Sequence, residues 1–391
     1  MKKKKLFLLA SLAALAMTSC SSFDEPAALD GDGMPLTRAG ERIDAFDVES
    51  EDDLIYALNN NEPAINIAAS FELTQSVTIT STTNFTSATN AVITSSAPII
   101  CKADAAFNGV KINATTPVGQ GAINLEAEGI VVELDGVNIT QNTEGTQDDS
   151  NYEGLGIKNV TCKNTLKLNN SDIKLPKNRY VRAINMYTPD STWVNLEIRN
   201  SNLRCGDDLS MPSTYARVLS FSNVSCDNLV IDNSTLKGAY YVVNINGTSK
   251  VVANVTNGSV LDGRAAFNVW SKGFIGNVTE STLIGRNNYP GPTESFANIV
   301  INQGATGCTL NLTNTIFKMD VIDKLQTNEQ YAISFRASDQ TLKLTGYMKI
   351  FDTTGNQVAS YFSANQGVTN LNIQETPGFE LIHERVEAAD I

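Results

Sequence analysis

The chain has 391 residues and a formal net charge of −13, with 42 acidic against 29 basic side chains. That excess repels nucleic acid and anionic membrane surfaces, so neither is an expected partner. Hydrophobic residues make up 42% of the sequence, enough to bury a large core.

Residues 1–19 begin with four lysines, continue through LFLLASLAALA and end in MTS before Cys20. A basic start followed by a short apolar run predicts a secretory signal peptide, too short to span a membrane. The ending resembles a lipobox, which implies that Cys20 becomes the acylated first residue of the mature chain, held by outer-membrane lipid. Cleavage there removes four lysines and no acids and takes the formal charge from −13 to −17. Residues 20–46 have the composition of a flexible acidic tether. Their acidic pair, Asp24 and Glu25, is similar to the export signal of surface lipoproteins in Bacteroidota-type bacteria.

From Ser50 the pattern turns helical. Ser50 with Asp53 three residues on forms a capping signature, and Leu54, Ile55 and Leu58 share one face. Strands are expected directly afterwards, AINI from 64 and SVTI from 76.

Beyond them an octet recurs: VELDGVNI at 132, LKLNNSDI at 166, LEIRNSNL at 196, LVIDNSTL at 229, ANVTNGSV at 253, GNVTESTL at 276, LNLTNTIF at 310 and LKLTGYMK at 342. Successive copies start 23 to 34 residues apart, the spacing of a solenoid whose coils bury one face against the next. The first and third letters alternate with the second as in a strand, apolar side inward. The fifth letter is Asn or Gly in seven copies and Glu280 in the other, which marks a sharp left-handed corner. Amides stacked there are placed to hydrogen-bond from coil to coil. The eighth letter is apolar except at Lys349, where Ile350 is the available substitute.

Between octets runs a second apolar strand, RAINM from 182, RVLSF from 217, YVVNI from 241, AAFNV from 265 and YAISF from 331. Coils of this make-up resemble the right-handed parallel β-helix of the pectate-lyase-like superfamily, a resemblance that covers residues 47–370. It implies an all-β solenoid with the short N-terminal helix as its cap, since an uncovered first coil exposes apolar side chains and unpaired backbone. Residues 371–391 are expected to form a C-terminal cap or tail.

Five coils carry extra residues after the octet, near 142–154, 174–181, 204–215, 285–296 and 318–330, whereas the coils at 229 and 253 carry almost none. The insertions are expected along one edge of the rod, with a notch at the short coils. Arg217, Tyr240, Tyr241, Asn244, Arg264, Asn268 and Trp270 are the expected lining. Asp207, Asp208 and Tyr215 form one rim, and Arg286, Asn288 and Tyr289 the other. Aromatic faces beside amide and guanidinium donors suit sugar rings, so a polysaccharide or host glycan is the expected partner.

Two reactions come with the resemblance. The pair Asp207 and Asp208 in CGDD resembles the paired carboxylates of polygalacturonase-like hydrolases, but that family also needs a nearby histidine and an ArgXaaLys. This chain has a single histidine, His383, near its end, and no ArgXaaLys. A calcium-dependent lyase acting on uronates needs carboxylates recurring on adjacent coils, and Asp207 and Asp208 lack such companions. The expected role is therefore noncatalytic glycan binding or adhesion at the cell surface, with a polysaccharide lyase and a purely structural surface protein as the alternatives. No cofactor motif or zinc spacing occurs, and Cys101, Cys162, Cys205, Cys226 and Cys308 read as small buried side chains. Sequons such as those at Asn138, Asn233 and Asn254 read as corner chemistry.

Overall fold

Six of the eight octets fold as two short strands and the corner between them, and the copies at 310 and 342 each lie within one continuous strand. A computed structural model describes residues 44–87, 90–188, 193–206, 215–286, 296–320, 330–352 and 361–386; the expected signal peptide, Cys20 and the expected tether up to residue 43 lie outside the described residues. In the copy at 132, Val131–Asp135 and Asn138–Gln141 meet at Gly136. The fifth letter is left-handed in all eight copies, with φ between +44° at Asn233 and +68° at Gly346. Glycine and asparagine carry this conformation at little cost, which is why the sequence repeats them there.

The first and third letters are buried in every copy. Gly276 replaces a larger first letter because the Phe274 ring lies 3.0 Å from where its β-carbon would stand. In two copies the eighth letter shifts by one. Leu261, not Val260, is the buried residue opposite Leu236, and Ile350 sits opposite Phe317 in place of Lys349. One extra residue after the corner, a local bulge, accounts for both shifts. A ninth copy, AAFNGVKI at 105, pairs Ala105–Asn108 with Val132–Asp135 and turns at Gly109 with φ +66°. Its alanines weaken the apolar pattern that identifies the others.

The expected amide stacking occurs in part. Asn233 donates to Asn200 Oδ1 at 2.8 Å, but Asn170 and Asn257 donate to the aspartates Asp135 and Asp232 of the preceding coils. A sturdier device lies one residue on, at the sixth letter. The corner interrupts the backbone ladder, and serine hydroxyls repair it. Val137, Ser171, Ser201 and Ser234 each donate a backbone N–H to the serine hydroxyl of the next coil, at 3.0 to 3.2 Å. Because these groups are buried, Ser201→Ala should leave the Ser171 N–H unsatisfied and cost about 1–3 kcal/mol, measured as a lowered thermal midpoint against Ser201→Thr.

A third strand completes each coil. Among the described residues eleven such strands, from Val77–Ile79 to Phe362–Ala364, pair in parallel. At about 4.8 Å per step this third sheet is roughly 48 Å long. The first and second sheets, formed by the two halves of the octet, merge where Thr309–Asp320 and Gln340–Asp352 run unbroken through their corners. The whole is a right-handed parallel β-helix. Its interior is one continuous apolar cluster, whose bulkiest fully buried members include Phe107, Phe221, Phe267 and Phe335.

The helix α1, Glu51–Asn59, lies across the first coil against Phe46–Val48, Phe71–Leu73 and Val77–Ile79. Ser50 Oγ accepts the Asp53 N–H at 3.2 Å and donates to the Asp53 carboxylate at 2.7 Å. Leu54, Ala57 and Leu58 are the buried face. At the other end, Leu371–Glu375 and Glu380–Arg385 pair in parallel with Gln340–Asp352 and add one more rung. Four of the five cysteines among the described residues are buried, and burial pushes the Cys101 thiol up to about 12.

Candidate functional site

All five insertions fall in the sequence between a strand of the second sheet and one of the third, and the two that are described, 142–153 and 176–180, lie at the same corner of the coil. The chain spends residues 142–153 between Gln141 and Gly154, and 206–215 between Cys205 and Ala216. In the short coils only residues 239–240 separate Gly238 from Tyr241, and only Arg264 separates Gly263 from Ala265.

Along this corner stands a file of tyrosines. Tyr180 and Tyr215 each immediately precede a third-sheet strand, Val181–Tyr187 and Ala216–Ser222. Both have a left-handed backbone, with φ +48° and +51°. A bulky residue there costs about 1–3 kcal/mol, so the surroundings hold these rings in place against an intrinsic preference. Their centroids are 5.3 Å apart and their planes 7° from parallel. Tyr240 follows at 5.2 Å from Tyr215, and Tyr241 at 3.9 Å from Tyr240. Arg179, Arg217 and Arg264 lie over Tyr180, Tyr215 and Tyr240 at 5.7, 5.5 and 5.2 Å, within cation–π range. Arg264 also donates to Tyr240 Oη at 3.1 Å. Tyr240 is buried, and its phenol is raised by that burial, whereas Tyr180, Tyr215 and Tyr241 keep part of their surface in solvent.

Beneath the file lies a charge network that is buried except at Asp148, whose side chain is 37% exposed. Arg182 pairs through Nε and Nη2 with Glu153, which is fully buried, and Arg217 grips Asp148 at 2.7 and 2.8 Å. Burial raises the Glu153 carboxyl from 4.5 to about 7, against the opposing pull of Arg182 and Arg217, and Asp148 adds a smaller upward push. A carboxyl with a raised folded-state pKa binds its proton more tightly in the folded protein than in the unfolded chain. Its contribution to stability is therefore full below about pH 4.5 and lost as the pH rises through 7, an effect of about 3 kcal/mol. Denaturant titrations from pH 4.5 to 8 should show that decline, and Glu153→Gln should flatten it.

The structure divides the expected notch. Tyr215, Arg217, Tyr240, Tyr241 and Arg264 come together at the entry to the third sheet. Asn244 and Asn268 occupy the middle of its strands, the Asn268 amide N–H donating to Asn244 Oδ1 at 2.7 Å, and both are buried. Trp270 follows the strand Ala265–Val269 at the opposite end and is 49% exposed, so it joins a different edge with Tyr187 and Trp193. Arg286 is tied bidentately to Asp262 at 2.6 and 3.0 Å. Asp207, Asp208, Asn288 and Tyr289 lie outside the described residues. Short loops thus do not leave a bare groove, because Arg217, Asn244, Arg264 and Asn268 are all less than one tenth exposed.

Tyr180, Arg182 and Glu153 are additions that the sequence reading lacked. The signal for the first two is the recurrence of Tyr-Xaa-Arg at 180 and 215, immediately before apolar strands in register. Glu153 has no such signature; its role depends on where the insertion 142–153 folds. Among the described residues no group of three or more His, Cys, Asp or Glu side chains is placed to hold a metal.

The chain matches no known family model, and no curated protein matches it in sequence. Among solved structures it is similar to a double mutant of the tailspike protein of E. coli bacteriophage HK620, with 9% identity and a TM-score of 0.39 over 88% of this chain and 79% of that one. The Dettilon tailspike protein matches at 12% identity and a TM-score of 0.39, covering 91% and 66% of the two chains. The tailspike protein of Acinetobacter baumannii phage AM24 matches at 11% identity and 0.38, covering 93% and 59%.

Proposed function

We propose that the protein is a noncatalytic glycan-binding rod held on the outer cell surface by acylated Cys20. The observation that carries the reading is the stacked pair Tyr180 and Tyr215, two rings held by left-handed backbones on adjacent coils and partly open to solvent. The parts of this stack that remain open to solvent offer a sugar ring an apolar seat, and the neighbouring guanidiniums and phenols supply donors to hydroxyls. Membrane attachment rests on the lipobox-like run before Cys20, and surface export on the acidic residues after it.

A glycan array with the mature chain, followed by calorimetric titration of the best ligand, tests the reading. Tyr180→Ala with Tyr215→Ala should weaken binding roughly tenfold to a hundredfold, at about 0.5–1.5 kcal/mol for each ring. Unchanged affinity in the double variant would remove the proposal. Membrane fractionation of Cys20→Ala tests the anchor separately, with release into the soluble fraction as the expected outcome.

A further inference from the structure

The outward face of the first sheet changes character partway along the rod. In the octets at 132, 166, 196 and 229 the second and fourth letters point outward, and six of those eight positions are charged. The charges are paired: Lys167 meets Glu133 at 2.6 Å, and Arg199 lies 3.3 Å from both Glu197 and Asp232. In the octets at 253, 276, 310 and 342 the same eight positions hold one charge, Lys343. The fourth letter there is always threonine, with Thr279, Thr313 and Thr345 in register. The second letter is asparagine in three copies. Asn311 donates to Asn277 Oδ1 at 2.7 Å and Asn277 to Asn254 Oδ1 at 2.8 Å, which fixes the three amides in one orientation. All of these side chains keep part of their surface in solvent.

The coil itself does not exclude charge from these positions. Asp135, Arg199 and Asp232 occupy the fourth letter in the other half, and their strands pair in the same way. The loss of charge therefore belongs to the outward surface. Charged residues commonly protect sheets from joining other copies, whereas uncharged faces with Asn ladders pack against identical faces about 10 Å away. In a chain of formal charge −13, an uncharged face lets two copies meet at low electrostatic cost. A glycan fits it poorly, because positions 252–256, 275–279, 309–313 and 341–345 carry no aromatic ring on which a sugar stacks.

Four coils at about 4.8 Å and five strand residues at about 3.3 Å give a patch of roughly 300 Å² on each partner. Across the corner Val260, Thr282 and Ile316 continue it, uncharged and half-buried. The patch still falls short of the ~800 Å² a side of a stable dimer, which sets the class of contact as weak and reversible. We infer that this uncharged half of the face is a self-association surface, on which two copies of the chain pack face to face through their Asn and Thr columns. Such a contact is isologous, so Thr279 and Thr313, near its centre, face each other or their own counterparts. It does not depend on glycan binding.

Sedimentation equilibrium from about 10 μM to 1 mM tests this on the full mature chain carrying Cys20→Ala, which removes acylation as a route to association. The expected result is a reversible equilibrium of monomer and dimer. Thr279→Asp with Thr313→Asp should raise the dissociation constant at least about tenfold, and Thr279→Arg with Thr313→Arg should do the same, because each sets like charges against one another. Mixing the two double variants should restore pairing as a heterodimer, an outcome that a folding defect does not produce. Asn169→Asp, on the charged half of the same face, should leave the wild-type equilibrium unchanged. A wild-type chain that stays monomeric throughout overturns the inference. So does a dimer that both double variants leave intact, or one that Asn169→Asp weakens equally.

Discussion

Arg182→Met should lower stability by about 3–5 kcal/mol, because it strands the Glu153 carboxylate in a site with no exposure to water. The cost depends on pH in a way that identifies its origin. Glu153 already holds its proton up to about pH 7, and loss of Arg182 removes the main force favouring its ionised form. Destabilisation should be largest at pH 8, where ionisation is demanded, and small at pH 5, where the neutral acid needs no counter-charge. Arg182→Met with Glu153→Gln should recover most of the loss, since a neutral pair has no charge to strand. A double-mutant cycle read by denaturant unfolding at both pH values checks this. A loss of equal size at pH 5 and pH 8 would show that Arg182 acts only as packing.

Phe267→Ala should cost about 3–5 kcal/mol as well, the range for emptying a large buried aromatic site. Phe267 is fully buried, lies in register between Val243 and Ile299, and packs its ring 5.5 Å from that of Phe274. In a stack where each coil touches only its neighbours, a cavity in the middle weakens the coupling between the two halves. Hydrogen exchange should therefore report loss of protection on both sides of the coil 253–275, and thermal unfolding should broaden. Phe267→Leu keeps most of the volume and should cost much less. A sharp single transition with unchanged exchange in Phe267→Ala would show that the coils are not coupled through their aromatic core.

The legibility of this fold follows from its geometry. Every coil repeats the same demand on the same letters, so Leu134, Leu168, Ile198 and their equivalents announce an inward column. Asn170, Asn200 and Asn233 announce a corner, without any knowledge of which strand pairs with which. The helix at Glu51–Asn59 was legible for a similar reason, because its cap is a contact between Ser50 and Asp53, three residues apart. Where a single bulge or a pair of alanines disturbs the repeat, as at Val260 and at Ala105–Ala106, the register is set by the neighbouring coil.

The site is a different matter. The residue types were visible in Tyr215, Arg217, Tyr240, Tyr241 and Arg264, but their grouping was not, because the distance along the chain says nothing about which end of a strand a side chain occupies. Trp270 is six residues from Arg264 and lies at the far end of the same strand. Glu153 and Asp148 reach Arg182 and Arg217 from an insertion with no repeat of its own.

By itself, then, the sequence determined the coil: the strand alternation, the left-handed corner and the capped N-terminal end are all local or strictly periodic, and local interactions are written in neighbouring letters. Only the tertiary structure decided that Asn185, Ser220, Asn244 and Asn268 on the third sheet are buried, that two tyrosines stack and that Asn268 donates to Asn244 on the neighbouring coil. Those features arise between residues brought together by winding and insertion, where burial and partner choice depend on the whole stack.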